Sequence, residues 1–336
     1  MTILVLGGTR FIGPWVVRRL ADAGHDVTVF HRGQSKAVLP ASVAHLHGDR
    51  QQLLDFKDAF ARLAPEVVFD LFAMTEADAQ AGVAAFAGLA RRVVVASSQD
   101  VYRVYDRFLG RDPGPPGSVP FTEQAPLRRH LYPYRTMAPA PDHLFYHYDK
   151  ILVEQVYQRA EIPATVVRLP QVYGPGDYQH RLFPYLKRMD DARPFIPLDE
   201  DQDAWRCTRG YVENVAAALA LAVEDERAAG AVYNVGEAVA FTEAEWIRRI
   251  GAVTGWAGRV VSLPKLPDML PSDKDWRHHF VADTRTMRRE LGYEEPVSLD
   301  EALRRTIAWE RAHPPEAIDP KQFDYAAEDA RLADRS

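Results

Sequence analysis

A single cysteine, Cys207, stands among 336 residues. No disulfide can form within the chain, so the fold has to rest on a buried core. Long apolar runs are missing as well. None approaches the roughly 20 residues that cross a bilayer, which excludes a membrane-spanning helix. The opening Met1-Thr-Ile-Leu-Val-Leu6 carries no basic cluster and reads as a strand, so no secretory signal is expected and a cytoplasmic location is the default. An excess of one charge is also lacking. Lys and Arg number 41 against 47 Asp and Glu, a net of −6, which gives no general attraction to nucleic acid or to an anionic membrane. Repeats and low-complexity tracts are absent. His130, His143, His147, His180 and the pair His278-His279 are scattered without metal-ligand spacing, so no metal is expected.

What is present begins at once. The strand Ile3–Leu6 runs into Gly7-Gly8-Thr9-Arg10-Phe11-Ile12-Gly13 and then into a helical pattern from Pro14 to Ala23. Glycines at such a turn let the backbone approach a pyrophosphate, and the free N–H groups and dipole of a helix start hold its charge. A second strand at Asp26–Phe30 completes a β-α-β unit of the expected length. The chain therefore opens with a dinucleotide-binding unit.

Apolar runs continue at Val43–Leu46, Val67–Phe72, Val93–Ala96 and Thr165–Leu169. Amphipathic stretches alternate with them at Gln51–Leu63, Glu76–Leu89 and Phe145–Ala160. This alternation predicts an α/β fold, a doubly wound parallel sheet of Rossmann type with helices on both faces. A smaller, mostly helical C-terminal substrate lobe follows. The expected division is residues 1–170 for the dinucleotide domain, rejoined by about 211–236. Residues 171–210 and 237–320 form the lobe, and residues 321–336 are a tail with no element assigned. The proline-rich stretch Tyr102–Pro141 reads as a substrate loop or lid. Tyr173–Arg209 and Lys265–Trp276 also read as loops. Val215–Glu224 reads as a helix and Val232–Gly236 as a late strand.

Three side chains follow from chemistry and position. Tyr146 and Lys150 are four apart in a helical pattern, so they share a face. A neighbouring ammonium favours a phenolate, the pairing a phenol needs to shuttle a proton. Ser97 and Ser98 follow the fifth strand, at the end where doubly wound sheets bind ligands, and a hydroxyl there can bond a substrate oxygen. Asp100 is a lone acid/base candidate beside them.

These pieces together resemble the extended short-chain dehydrogenase/reductases, the group of NAD(P)-dependent sugar-nucleotide epimerases and dehydratases. The resemblance covers most of the chain. It is carried by Gly7–Gly13, His47-Gly-Asp49, Ser97–Tyr102, Tyr146–Lys150, Arg168–Asp177, Tyr211–Ala216 and Tyr233–Gly236. It implies Ser98 as the catalytic hydroxyl, Tyr146 as acid/base and Lys150 as its activator and a ribose contact. It implies Asp49 at the adenine, and Leu71 and Phe72 along the cofactor cleft. Gly7, Thr9, Arg10, Phe11, Ile12, Gly13, Arg50 and Pro170 complete the cofactor set, with Tyr146 and Lys150. A helix-mediated homodimer is a further family expectation.

The chain departs from the family pattern at several places. Arg10 replaces the middle glycine of the turn, as in an atypical branch some of whose members have lost catalysis. His31-Arg32 stands where NAD users carry an acid, and with Arg10 this favours the 2′-phosphate of NADP over NAD. Gln99-Asp100 replaces an acidic pair, which disfavours a 4,6-dehydratase. Gln171 replaces an asparagine, and Arg206 and Arg209 flank the usual diphosphate arginine. Gln99, Gln171, His180, Arg181, Arg206 and Arg209 are the candidate substrate contacts.

The expected activity is hydride transfer at a carbinol or carbonyl carbon of a sugar or sugar-nucleotide, the substrate being small and in one reading anionic. An NADPH-dependent ketone or aldehyde reductase is the alternative enzyme. A third reading is a catalytically inactive dinucleotide-sensing or RNA-binding protein. For it, Tyr102, Tyr105, Tyr132 and Tyr134 interleave with Arg103, Arg107, Arg128, Arg129 and Arg135 as a single-stranded nucleic-acid surface would.

Overall fold

A computed structural model describes residues 1–35, 37–263 and 274–333. Residues 265–273, most of the last expected loop, lie outside the described residues. Among the described residues eleven strands form: β1 (Thr2–Leu6), β2 (Asp26–His31), β3 (Ala44–His47), β4 (Val67–Asp70), β5 (Arg92–Ser98), β6 (Ala164–Leu169), β7 (Gln171–Tyr173), β8 (Phe195–Asp199), β9 (Arg209–Tyr211), β10 (Val232–Asn234) and β11 (Arg259–Leu263). Seven make one parallel sheet in the order β10-β6-β5-β4-β1-β2-β3. The order reverses between β1 and β4, and such a switch point opens a crevice at the carboxyl ends of the strands.

The strands are apolar throughout because both faces are covered. Alternate residues separate into two cores. Ile3, Val5, Val29, Phe69 and Val94 pack on helix α1 (Ile12–Asp22) and on the later α9. Leu4, Leu6, Phe30, Val68 and Val95 pack on the other side. There the cover is α2 (Lys57–Leu63), α3 (Glu76–Phe86) and α6, with α4 (Arg103–Phe108) and α5 (Leu144–His147) lying between α3 and α6 in the chain.

The helix expected over Phe145–Ala160 is two helices. α5 stops at His147 and α6 spans Lys150–Arg159, with Tyr148 and Asp149 extended between them. Asp149 is fully buried. It caps α6 through the Ile151 N–H at 2.9 Å and receives Arg128 Nη2 at 2.8 Å and the Tyr132 N–H at 2.6 Å. A carboxylate recruited by residues some twenty positions earlier overrides the local helical pattern.

The later part of the chain holds α7 (Phe183–Asp190), α8 (Glu200–Asp203), α10 (Glu243–Thr254), α11 (Arg285–Leu291) and α12 (Leu299–Ala312). α9 (Val212–Glu224) returns the chain to the large sheet, where it packs on α1. Two short parallel pairs, β8 with β11 and β7 with β9, lie outside the large sheet. Where no element was expected, α13 (Tyr325–Ala333) forms and docks through Glu328, which binds Arg188 at 2.8 Å. Among the described residues no helix is long and apolar enough to cross a membrane.

Candidate active site

The glycine turn is built for close approach. Gly7 and Gly8 sit at φ +100° and +85°, a region that side chains avoid. A Cβ on Gly13 would lie 2.5 Å from the Gly8 backbone, and one on Gly7 would meet Phe72 Cβ at 3.4 Å. No side chain caps the start of α1, and its Gly13 N–H turns back to the Arg10 carbonyl at 2.9 Å; the positive end of the helix dipole still faces the turn and favours an anion there. Leu71 and Phe72 leave β4 beside the turn, and Phe72 is 44% exposed. A Cβ-free turn at a helix N-terminus has the room and the dipole that a dinucleotide's pyrophosphate requires.

Ser98 ends β5 at the same edge. Its Oγ accepts the Asp100 N–H at 3.1 Å, which leaves its own hydrogen to donate. Ser97, on the opposite face, is turned away and donates to Glu154 at 2.5 Å. The buried Asp100 Oδ2 accepts the phenols of Tyr134 at 2.9 Å and Tyr148 at 3.0 Å, while Oδ1 has no partner. Asp100 thus joins Tyr148 to Ser98, accepting from the phenol and donating its N–H to the hydroxyl oxygen. Burial pushes the Asp100 carboxyl above its ordinary range, against the pull of Arg128. Burial and Asp100 hold Tyr148 well above the usual phenol value. Both groups therefore keep protons longer than they would in water. Lys150 is buried, with Nζ donating to the carbonyls of Ala73 at 2.6 Å and Ala96 at 2.8 Å. Burial lowers its ammonium to about 8. Two acceptors leave one ammonium hydrogen unengaged.

The structure thus brings Ser98, Asp100 and Lys150 together but sets Tyr146 apart. With the helix broken, Tyr146 does not share a face with Lys150. It lies half-buried on α5 under the Arg135 guanidinium, 4.8 Å from its ring centre, while Tyr148 reaches Asp100. Tyr148, Tyr134 and Arg128 were not singled out as site residues by their spacing. Tyr134 and Arg128 reach the site because the long proline-rich segment folds over it.

Other expected contacts have internal roles. Arg50 forks onto Asp70 at 2.7 and 2.6 Å, a pair completed by Tyr157. Gln99 is buried against the carbonyls of Val235 and Arg168. His180 pairs with Glu310 at 2.8 Å. Asp49 caps the turn that follows it through the Gln51 N–H at 3.0 Å. The interleaved tyrosines and arginines do not make one continuous outer surface: Tyr102 and Arg128 are buried and Arg103 pairs with Asp112, while Arg129 and Arg135 stay exposed.

At the end of β2, His31 is not a ready cation. Burial, His45 and His47 lower its imidazole below the ordinary value. Arg10 and Arg32 are exposed, and among the described residues neither has an ion-pair partner.

Beyond β6, through Pro170, lies a cavity of about 200 Å³. The β7–β9 register sets Gln171 opposite Arg209, and both line it with Arg181, Arg188 and Glu243. Every arginine on its wall is paired: Arg209 with Glu243, Arg181 with Asp177 and Arg188 with Glu328. Arg209 Nη1 is nevertheless buried without an acceptor. Arg206 is exposed and outside the lining.

A doubly wound sheet with a glycine turn at its switch point, and a cavity beside it, defines a dinucleotide-dependent enzyme of the α/β class. A family model described as the NAD dependent epimerase/dehydratase family matches residues 3–236. The chain belongs to that family and is an oxidoreductase-type enzyme. It is 29% identical to the 2'-dehydrokanamycin reductase of Streptomyces kanamyceticus over 276 residues, covering 79% of this chain and 70% of the relative. It is 25% identical to the chloroplast stem-loop binding protein of 41 kDa b of Arabidopsis thaliana, over 69% of this chain and 58% of that protein's length. Among solved structures, the enzyme WbmG of Bordetella bronchiseptica in complex with NAD superposes with a TM-score of 0.67 at 17% identity, covering 93% of this chain and 94% of the other. MoeE5 in complex with UDP-glucuronic acid and NAD gives 0.66 at 21%, over 93% and 99%.

Proposed function

We propose that this protein is a reductase of the extended short-chain type, acting at a carbonyl carbon of a hydroxylated ring that carries no diphosphate. The observation that carries the reading is the hydrogen-bonded set of Ser98, Tyr148 and Asp100, beside the Lys150 ammonium at the carboxyl end of β5. Gly7, Gly8, Gly13, the start of α1, Thr9, Phe11, Ile12, Leu71, Phe72, Pro170 and Lys150 would hold the dinucleotide. When bound, it supplies the hydride that a protein side chain cannot.

The chain's own residues handle the oxygen and its proton. Ser98 donates its free hydrogen to the substrate oxygen and orients it. Tyr148, protonated at neutral pH, gives its proton to that oxygen as negative charge develops there. The Asp100 carboxyl, which burial pushes toward its protonated form, accepts the Tyr148 hydrogen bond and would relay a proton back to the phenol. Lys150 places a positive charge near the developing alkoxide.

The paired arginines of the cavity support this substrate class. A diphosphate needs free guanidinium charge, whereas here each cation is neutralised by a carboxylate. The unengaged Arg209 Nη1 suits a hydroxyl or carbonyl oxygen. The chain's likeness to a reductase named for a dehydrokanamycin agrees with a ketone on a polar ring. Arg10 and Arg32 favour NADPH.

The test is NADPH oxidation, followed in the near ultraviolet, against a panel of keto-sugars and keto-cyclitols with and without nucleotide groups. Stoichiometric consumption with a diphosphate-free ketone, lost by a factor of roughly 10²–10⁴ in Tyr148→Phe, supports the reading. Turnover of a sugar-nucleotide without net cofactor use overturns it in favour of an epimerase. Loss in Tyr146→Phe with Tyr148→Phe unaffected returns the acid/base to the position that the family spacing marks.

A further inference from the structure

The histidines show no metal-ligand spacing along the chain, yet the sheet gathers three of them. β2 and β3 pair in parallel with His31 opposite His47, and His45 lies two residues before His47 on the same face of β3. Strand alternation therefore turns all three imidazoles to one side. One ring nitrogen from each lies within 4.8 Å of the other two. His31 Nε2 and His45 Nδ1 are already 2.8 Å apart, and the His31 and His47 rings meet edge-on at 4.9 Å between centres. β3 is the edge of the sheet, and His45 and His47 are exposed, so solvent reaches the cluster from outside.

We propose that His31, His45 and His47 form a binding site for a late first-row divalent cation of the zinc, copper or nickel type. Imidazole is the side-chain ligand these ions share. Three histidines leave at least one position for water, the pattern of an open site. Zinc–nitrogen bonds of about 2.0–2.1 Å need tetrahedral nitrogens roughly 3.3 Å apart. From separations of at most 4.8 Å, the cluster therefore has to close by no more than about 1.5 Å. The two exposed rings can turn to do this, while the shorter His31–His45 contact has only to widen.

The metal-free arrangement also shows what is exchanged. The Gly33 N–H donates to His31 Nδ1 at 3.1 Å, so Nε2 carries the ring hydrogen and donates it to His45 Nδ1. A cation between Nε2 and Nδ1 takes the place of that shared hydrogen. The His31 hydrogen moves to Nδ1, and the exposed Gly33 amide turns to water. The bound ion ties the edge strand to its neighbour, so it stabilises the folded chain by mass action.

The experiment uses the full chain with any polyhistidine tag removed. Zinc titration by calorimetry is expected to show one saturable equivalent per chain and a rise in Tm. Copper(II) in its place is expected to show nitrogen superhyperfine splitting by electron paramagnetic resonance. The double variant His45→Ala/His47→Ala changes only exposed rings and keeps the fold, as circular dichroism would report. It should lose the equivalent, the Tm rise and the splitting, whereas His313→Ala should keep all three. Uptake unchanged in the double variant, or no saturable uptake by the native chain, overturns the proposal.

Discussion

The Tyr148 phenol donates to the buried Asp100 carboxyl at 3.0 Å, although Tyr146 is the tyrosine that stands at the family's spacing from Lys150. The contact exists because Asp149 ends the helix before it reaches Tyr146. An extended two-residue link turns Tyr148 inward and leaves Tyr146 under Arg135.

Asp100→Asn is expected to exchange activity for stability. The folded chain holds the Asp100 proton above the ordinary carboxylate value of 3.8, whereas the unfolded chain releases it there. Stability therefore falls as pH rises from that value through the folded one, and the loss persists at pH 7. The amide removes the loss, so Tm at pH 7 should rise, and the gain should vanish in acid. Turnover should fall by roughly 10²–10⁴, as for a lost proton donor. Thermal melts across pH, paired with rates, check both parts. A variant less stable than the native chain at pH 7 contradicts the burial argument.

Lys150 should impose an alkaline limb. Its ammonium loses its charge near pH 8 in the folded protein, so kcat/KM is expected to decline with a midpoint there. The sign for folding is opposite. The penalty of burying the ammonium is complete below pH 8 and is relieved as pH rises toward the unfolded value of 10.5. A rate profile flat well beyond pH 8 counts against a role for the charge.

Arg50→Ala tests the reassignment of that residue from cofactor contact to ion pair. Asp70 is 0% exposed and would remain buried without its guanidinium. Removing one partner of a buried pair costs about 3–5 kcal/mol. The double variant Arg50→Ala/Asp70→Asn should recover part of it. Equilibrium urea unfolding measures both, and a loss confined to dinucleotide affinity would restore the cofactor role.

Gly13→Ala should cripple the turn. Its Cβ meets backbone at 2.5 Å, which has no rotamer by which to yield, and over-packing of this kind costs about 1–3 kcal/mol. Dinucleotide affinity by fluorescence titration should drop with little change in the packing of the later part of the chain. Unchanged binding would place the pyrophosphate elsewhere.

Arg10→Ala and Arg32→Ala should each weaken NADP⁺ by roughly 10–100-fold, the worth of one hydrogen bond to a charged group, and leave NAD⁺ unchanged. Equal losses for both nucleotides would show that the arginines do not read the 2′-phosphate.

The sequence by itself determined the glycine turn, the order of buried strands and the hydroxyl of Ser98. Each is local: a glycine run beside a strand, an apolar run covered on both faces, a residue at a strand end. Tertiary structure alone decided which phenol meets Asp100, since the break at Asp149 depends on Arg128 and Tyr132 from a distant segment. It alone paired Arg209 with Glu243 and Arg188 with Glu328, partners 34 and 140 positions away. It alone gathered His31 with His45 and His47, through the register of two parallel strands. Local pattern reports which face a residue takes on its own element. What stands opposite that face is set by chain closure over long separations, and there the charge, the proton and the ligand geometry of this protein are fixed.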